Sequence, residues 1–246
     1  MAGTAVVALG CGGEPTPVDV PAVADSVRAL VATGWHVVLL APPAPPGAGV
    51  AGPLALALGQ SRSGRRAVPV VTHTLVDPAD PALAHPPATA FPEPLAVLEA
   101  EAIAAVVKSG FPVVVAGQIP VVPNGANYRA VAVAVDDAAS ARRLAGDLGA
   151  EVLVFVAGDN GAVPAGPAGV GEIDVNEAER RLAEEPRFAP ELRAAVRFLR
   201  AGGELAVIVT AAGLPGALDG AGGGLRIHRT LAGRRSDAPV LAAGWC

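Results

Sequence analysis

The chain opens with the stretch AVVALGCGG at residues 5–13, where five apolar residues run directly into a glycine-rich turn. A short apolar run ended by glycine predicts a strand followed by a tight turn. The alanine- and valine-rich residues Val20–Thr33 come next and predict a helix. A strand, a turn and a helix in this order form the first part of a crossover unit, which is the building block of a parallel sheet.

The same alternation continues along the rest of the chain, because short apolar runs are separated by longer alanine-rich segments. The predicted strands are Ala5–Leu9, His36–Ala41, Ala67–Thr72, Pro112–Ala116, Arg129–Val135, Val152–Val156, Glu204–Thr210 and Leu225–His228. The predicted helices are Val20–Thr33, Pro94–Ser109, Asp136–Leu148, Asn176–Glu184 and Pro190–Ala201. This pattern is typical of an α/β fold with a largely parallel sheet.

Two proline-rich stretches interrupt the alternation. Residues Pro42–Pro53 and Asp77–Pro94 predict extended loops, since proline fixes φ and has no backbone N–H. Neither has the polar composition of a flexible linker, so we expect one domain over residues 1–246, with a tail at 232–246. Asp174 precedes Glu177 by three residues, which is the spacing of a capping box and predicts a helix start there.

Composition excludes several classes of protein. Apolar residues make up 52% of the 246 residues, so there is ample material for a core and disorder is not expected. The net charge is −5 and aromatic residues are 3%, which disfavours nucleic-acid binding by electrostatics and by base stacking. No uninterrupted apolar run of about 18 residues occurs, and no signal-peptide pattern is present. We therefore expect a cytoplasmic protein, no membrane contact and a small-molecule partner.

Metal and disulfide sites are not indicated by the spacing of ligands. The four histidines are scattered, with no i, i+4 or Cys-x-x-Cys arrangement. The cysteines Cys11 and Cys246 are predicted to be free thiols in a reducing compartment.

Four segments, in one order along the chain, carry a family resemblance. They are Val6–Gly10 (VVALG), Thr72–Asp80 (THTLVDPAD), Gly117–Val122 (GQIPVV) and Phe188–Pro190 (FAP). They resemble the VVALGGN, T-x-VVDPxD, GGGGIPVV and FAPGSMxPK segments of carbamate kinase in the amino-acid kinase family. The resemblance implies a three-layer αβα sandwich that holds a carbamoyl or acyl phosphate acceptor at the strand ends, beside ATP and magnesium. It also implies a homodimer.

The departures from that family concern its phosphate-handling residues. Lys108 is the single lysine of the chain and is expected to be a solvated charge at a helix end. Where the family has DKD, this chain has Val135, Asp136 and Asp137, so an acid stands in place of the lysine. The lysine of FAPGSMxPK is also missing, although Arg193 follows nearby. The glycine loop after the second strand becomes proline-rich, and the family's lid between Asp80 and Pro94 is absent.

Each candidate site residue has a structural interpretation as well as a functional one. The turn glycines form either an anion site or a tight turn before a helix, and Asp136 and Asp137 equally suit a helix N-terminus. Cys11 is either a nucleophile or an inert buried thiol. The ligand-binding candidates are Gly10, Gly12, Gly13, Gly117, in the loop before Ile119, and Asp159. The catalytic candidates are Arg193 as a cation, Asp137 as a magnesium or orienting carboxylate, and Cys11.

Three functions follow from these observations. The first is a carbamate-kinase-like protein that has lost phosphoryl transfer and binds a small molecule, regulates or scaffolds. The second is an active kinase-fold enzyme, acting on a carbamate, a carboxylate or a related small acid, or catalysing another reaction, with other catalytic residues. The third is a subunit of a hetero-oligomer whose partner holds the chemistry, with the apolar tail at 238–246 packing either on its own domain or on a neighbour.

Overall fold

The computed structural model describes residues 3–11, 19–42, 49–59, 66–84, 91–157, 170–182, 189–219 and 223–229. The strands are β1 Thr4–Cys11, β2 His36–Leu40, β3 Val68–Val76, β4 Pro94–Val97, β5 Val113–Asn124, β6 Asn127–Ala130, β7 Val152–Ala157, β8 Val170–Asp174, β9 Leu205–Thr210 and β10 Gly224–His228. The helices are α1 Val20–Ala32, α2 Ala51–Gly59, α3 Pro81–Ala84, α4 Ala100–Lys108, α5 Asp137–Asp147, α6 Val175–Arg181 and α7 Ala189–Arg200. A 3-10 helix spans Ala211–Gly216.

All of these strands belong to one sheet, in the order β4-β3-β5-β2-β1-β7-β9-β10-β8, with β6 paired to β5. The run from β3 to β9 is parallel throughout. Strands β4, β6 and β10 are antiparallel to β3, β5 and β9, and β8 is parallel to β10. Parallel neighbours bring the carboxyl ends of β1, β2, β5 and β7 to one edge, and the candidate site lies at that edge.

Helices cover both faces of the sheet, and the side chains of β1 show why. Val6 and Ala8 point to one face, where they pack in a core with α4, α5, α6 and α7. Ala5, Val7 and Leu9 alternate to the other face and pack with α1, α2 and the 3-10 helix. A strand buried on both faces has to be apolar at every position, as this one is. The αβα sandwich with a mostly parallel sheet is therefore confirmed.

Acidic side chains cap several helices at their N-termini. Asp136 Oδ1 accepts a hydrogen bond from the backbone N–H of Ala139 at 2.6 Å, and Asp174 Oδ1 accepts one from that of Glu177 at 2.9 Å. These bonds satisfy N–H groups that have no partner within the helix. The predicted helix starts at Asp136 and Asp174 are thus confirmed to within a residue.

The predicted helix Pro94–Ser109 is wrong in its first part. Residues Pro94–Val97 form β4, which pairs with the edge of β3, and the helix begins only at Ala100. The Val97 backbone N–H donates at 2.8 Å to Asp147 Oδ2, far along the chain. Residues Pro94–Val97 are extended because they pair with the edge of β3 and bond to a carboxylate that is distant in sequence, so the local sequence did not predict the strand.

The predicted strand Arg129–Val135 agrees with the structure only at Arg129–Ala130, which belong to β6, and β5 is longer than expected. β5 runs to Asn124 and turns at Gly125, where φ is +62°, into the short strand β6. The chain leaves the sheet after Ala130. Gly117 consequently lies inside β5, and the expected loop before Ile119 is not present.

The two proline-rich stretches contain helical turns that we did not predict. Helix α2 begins at Ala51, inside the first stretch, because Leu54 and Leu58 face the core one turn apart. Helix α3 adds one turn at Pro81–Ala84 in the second stretch. Strand β8 was missed as well. None of the helices in the described ranges has the length and apolarity needed to cross a bilayer.

Candidate functional site

The end of β1 turns sharply at Gly10. Its φ is +71°, and a Cβ built there would lie 3.3 Å from side-chain atoms of Pro42. The pairing of β1 with β7 shifts register between Leu9 and Cys11, which flank this glycine. A residue in this conformation is strained unless it is glycine. The predicted turn begins here, while Gly12, Gly13, Asp159 and the Cys11 side chain lie outside the described residues.

A pocket of about 160 Å³ opens just beyond the carboxyl end of β2, beside residues 117–120 in the middle of β5. It brings together two of the predicted site residues, Gly117 and Asp137. Ala41, Gln118, Pro120 and residues 133–135 complete its described lining. A Cβ at Gly117 would meet no atom within 4 Å, so open space adjoins the backbone at that point. Among the described lining residues, none carries a positive charge.

Threonines of β3 supply polar contacts beside this pocket. Thr74 Oγ1 donates to Gln118 Oε1 at 3.1 Å, and Thr72 Oγ1 donates to the backbone carbonyl of Gly117 at 3.4 Å. Thr72 and Thr74 are buried on the opposite face of β3 from His73. The hydroxyls therefore fix Gln118 and the β5 backbone.

Asp137 carries a perturbed carboxyl group. Burial, with a smaller contribution from the neighbouring charge of Asp136, raises its pKa from an ordinary value of 3.8 to about 6. It is the first residue of α5, whose N-terminal dipole favours a negative charge. The group is thus poised to exchange a proton slightly below neutral pH.

Glu191 is a site residue that the sequence did not reveal. It lies in the first turn of α7, it is only 1% exposed, and its Oε2 has no hydrogen-bond partner in the described structure. Burial raises its pKa, opposed by a hydrogen bond from its own backbone N–H and assisted by the charge of Asp136. Asp136 therefore acts on both Asp137, at the start of α5, and Glu191, at the start of α7.

Arg193 is placed away from Gly117 and Asp137. It lines a separate cleft of about 360 Å³ between α5 and α7. Arg142 and Arg197 line the same cleft, and both contact the carboxylate of Glu93, at 2.5 Å and 3.1 Å. Asp136 reaches this cleft, whereas Asp137 reaches the pocket, so the start of α5 separates the two cavities.

Lys108 lies where the sequence predicted a solvated charge. It is exposed in the last turn of α4, just before β5 begins. The start of β5 is at the opposite edge of the sheet from the pocket. Lys108 therefore contributes nothing to charge neutralisation at the strand ends.

The pocket does not fit a magnesium-bound triphosphate with the residues that the structure describes. Magnesium in such sites is held by one or two carboxylates together with phosphate oxygens, and the phosphates need cations or backbone N–H groups. Asp137 supplies a carboxylate, but the charge of Asp136 beside it adds to the repulsion of an anion. In the described ranges, no group of three or more His, Cys, Asp or Glu side chains is arranged to hold a metal ion.

No protein-family model and no curated protein matches this sequence. Solved structures do match. Carbamate kinase from Giardia lamblia bound to AMP-PNP is 21% identical, with a TM-score of 0.74 over 93% of this chain and 99% of that one. A protein of Aeropyrum pernix K1 is also 21% identical, with a TM-score of 0.71 over 92% of this chain and 100% of that one.

A more distant match is N-acetylglutamate synthase from Neisseria gonorrhoeae, complexed with coenzyme A and L-arginine. It is 17% identical, with a TM-score of 0.61 over 93% of this chain and 62% of that one. Together these likenesses show that the chain has the carbamate kinase fold, which is the amino-acid kinase fold expected from the four sequence segments.

Proposed function

We propose that this carbamate-kinase-fold protein has lost phosphoryl transfer and serves as a small-molecule-binding, regulatory or scaffolding subunit. The observation that carries the proposal is the placement of acids at the starts of α5 and α7. Asp136 stands where the resemblance to carbamate kinase implies a lysine, and its charge acts on the buried Glu191. No cation among the described lining residues of the Gly117–Asp137 pocket offsets the Asp137 carboxylate.

Negative charge at this position opposes catalysis of phosphoryl transfer. The transferred group carries charge on three oxygens, and enzymes stabilise it almost entirely by positioning and by positive charge. The carboxyls of Asp137 and Glu191 are already destabilised as anions, as their raised pKa values indicate. A phosphate placed beside Asp137 would raise the pKa of that carboxyl further and would itself be repelled by the ionised form.

The alternative is an active enzyme that uses other residues, and one observation favours it. Asp137, with a pKa of about 6, shares a pocket with the open backbone at Gly117. A carboxylate with this pKa suits general base catalysis near neutral pH. Such an enzyme would act on a small acid or carry out a repurposed reaction, with magnesium and ATP only if phosphoryl transfer persists.

The deciding experiment is an ADP-release assay of the full chain with ATP, magnesium and each of carbamate, acetate and amino acids. We expect no turnover above background. Magnesium-dependent turnover within about a hundredfold of a typical kinase rate of 1–100 per second, abolished by Asp137→Asn, would overturn the proposal. Thermal unfolding with ATP, ADP and magnesium adds a binding readout, since a ligand at about 100 times its Kd stabilises by about 2.7 kcal/mol. We expect no shift.

Assembly and location are part of the same proposal. The chain is proposed to act in the cytoplasm as a homodimer or as a subunit of a hetero-oligomer. Light scattering would give the mass of the full chain and of a chain that ends at residue 237. A dimeric mass that becomes monomeric on truncation would assign the tail to the interface, and an unchanged mass would assign it to its own domain.

A further inference from the structure

The cleft between α5 and α7 is a second cavity beside the Gly117–Asp137 pocket. Its described lining comes from the segment before β4 (Phe91, Pro92, Glu93), from α5 and its cap (Asp136, Ala139, Arg142), and from α7 (Pro190, Arg193, Ala194, Arg197). We propose that this cleft binds a small organic anion, a carboxylate or phosphate on an apolar body, with Arg193 and Arg197 as the anion-binding pair. The inference rests on the small-molecule-binding role proposed above and gives that role a ligand class.

The charges of the cleft leave an excess of one positive group. Three guanidinium groups face two carboxylates, those of Glu93 and Asp136. Glu93 contacts Arg142 at 2.5 Å through Oε1 and Arg197 at 3.1 Å through Oε2, so it is shared between two arginines. Asp136 Oδ1 is engaged in capping α5. Among the described residues, no ion pair involves Arg193.

The spacing of Arg193 and Arg197 favours an anion between them. They are four residues apart on α7 and both line the cleft, so their side chains are neighbours on the helix surface. Two like charges at this spacing repel each other, and an anion with two oxygens relieves that repulsion. The planar guanidinium fork binds carboxylate and phosphate through paired hydrogen bonds, which a lysine cannot reproduce.

The size and the apolar wall of the cleft indicate the rest of the ligand. Its volume of about 360 Å³ falls in the range of small-molecule sites, roughly 300–1,000 Å³. Phe91 is 52% exposed and, with Pro92 and Pro190, provides apolar surface in the lining of the same cleft. A free ion such as inorganic phosphate would leave this surface in water. An anion with an aromatic or aliphatic body would cover it and gain from its burial.

The experiment is isothermal titration calorimetry on the full chain with phenyl phosphate, benzoate and inorganic phosphate as probes. We expect phenyl phosphate or benzoate to bind more tightly than inorganic phosphate, and the tighter of the two identifies the anionic group. Arg193→Gln should weaken that binding at least about tenfold, and Arg193→Lys should weaken it less. Arg66→Gln is the matched control, because Arg66 is an exposed arginine just before β3 and outside the cleft.

Circular dichroism of each variant establishes that the fold is retained, and Arg193 is exposed, so folding is not at issue. Failure of all three probes to bind the unmodified protein would overturn the inference. Equal affinities for the unmodified protein and Arg193→Gln would also overturn it. Kinase turnover in the ADP-release assay would contradict the proposed loss of activity while leaving Arg193-dependent binding intact, so the two failures are distinguishable.

Discussion

Glu99 holds His73 at two points. Its Oε2 accepts a hydrogen bond from the His73 backbone N–H at 2.7 Å, and its Oε1 lies 2.6 Å from His73 Nδ1. Glu99 is the residue before α4, and His73 lies in β3, so this pair joins a sheet strand to the start of a helix.

Removal of this carboxylate should destabilise the fold. Glu99→Ala leaves the His73 N–H without its charged acceptor, and we expect a loss of about 1–3 kcal/mol in the free energy of unfolding. Urea titration measures it. The control is Glu101→Ala, an exposed acid in the first turn of the same helix, for which we expect less than about 1 kcal/mol. Equal losses for the two variants would show that the His73 contact contributes nothing.

Helix α2, which was not predicted from the sequence, can be tested by substitutions on its two faces. Leu54→Ala should lose about 2–5 kcal/mol, because Leu54 is 0% exposed and packs in the core. Leu56→Ala, two residues away and 66% exposed, should change stability by no more than about 0.5 kcal/mol. Chemical denaturation of both variants checks the difference. Similar losses at both positions would contradict the orientation of α2.

The turn at Gly10 should not tolerate a side chain. Gly10→Ala places a Cβ at a φ of +71° and 3.3 Å from Pro42, and we expect a loss of at least about 1 kcal/mol. Gly52→Ala lies in α2 with no atom within 4 Å of the added Cβ, so it should be neutral or stabilising by up to about 1 kcal/mol. Thermal unfolding of the two variants tests the contrast. A stable Gly10→Ala protein would argue against the turn.

The raised pKa of Asp137 predicts a specific pH dependence of stability. Because the pKa is about 6 in the folded protein against an ordinary 3.8, folding favours the protonated carboxyl. The stabilisation from that proton is complete below about pH 4 and is lost as the pH rises through about 6. Asp137→Asn keeps a neutral group at every pH, so relative to the original protein it should gain about 2 kcal/mol between about pH 4.5 and pH 7.5.

The measurement is urea unfolding of the original protein and of Asp137→Asn at both pH values. Comparing the two proteins at each pH cancels the titration of all other groups. Glu101→Gln, at an exposed position of α4, is the control for removal of a carboxylate. A stability difference that stays constant from pH 4.5 to pH 7.5 would show that Asp137 is not perturbed.

Much of the sheet was predictable because its strands are apolar at successive positions. The predicted ends of β2, β7 and β9 lie within about a residue of the observed ends. These strands are covered on both faces, so each is a continuous apolar run that is easy to delimit. The errors in the strands concern β4 and β8, at the two ends of the strand order, and the hairpin β5–β6. β4 and the hairpin β5–β6 take their conformation from neighbouring strands and from contacts such as Val97 to Asp147, which are distant in sequence.

In the candidate site, too, some features could be predicted from the sequence and others depend on tertiary contacts. The fold class, the acid at Asp136 and the scarcity of lysine could all be read from the sequence, because each depends only on which residues occur and in what order. Folding was needed to bury Glu191 with its Oε2 unpartnered in the described structure, to place Gly117 and Asp137 around one pocket, and to bring Glu93 to arginines 49 and 104 residues away. Burial and charge pairing arise from the packing of α5 against α7, and no local pattern encodes which side chains such packing brings together.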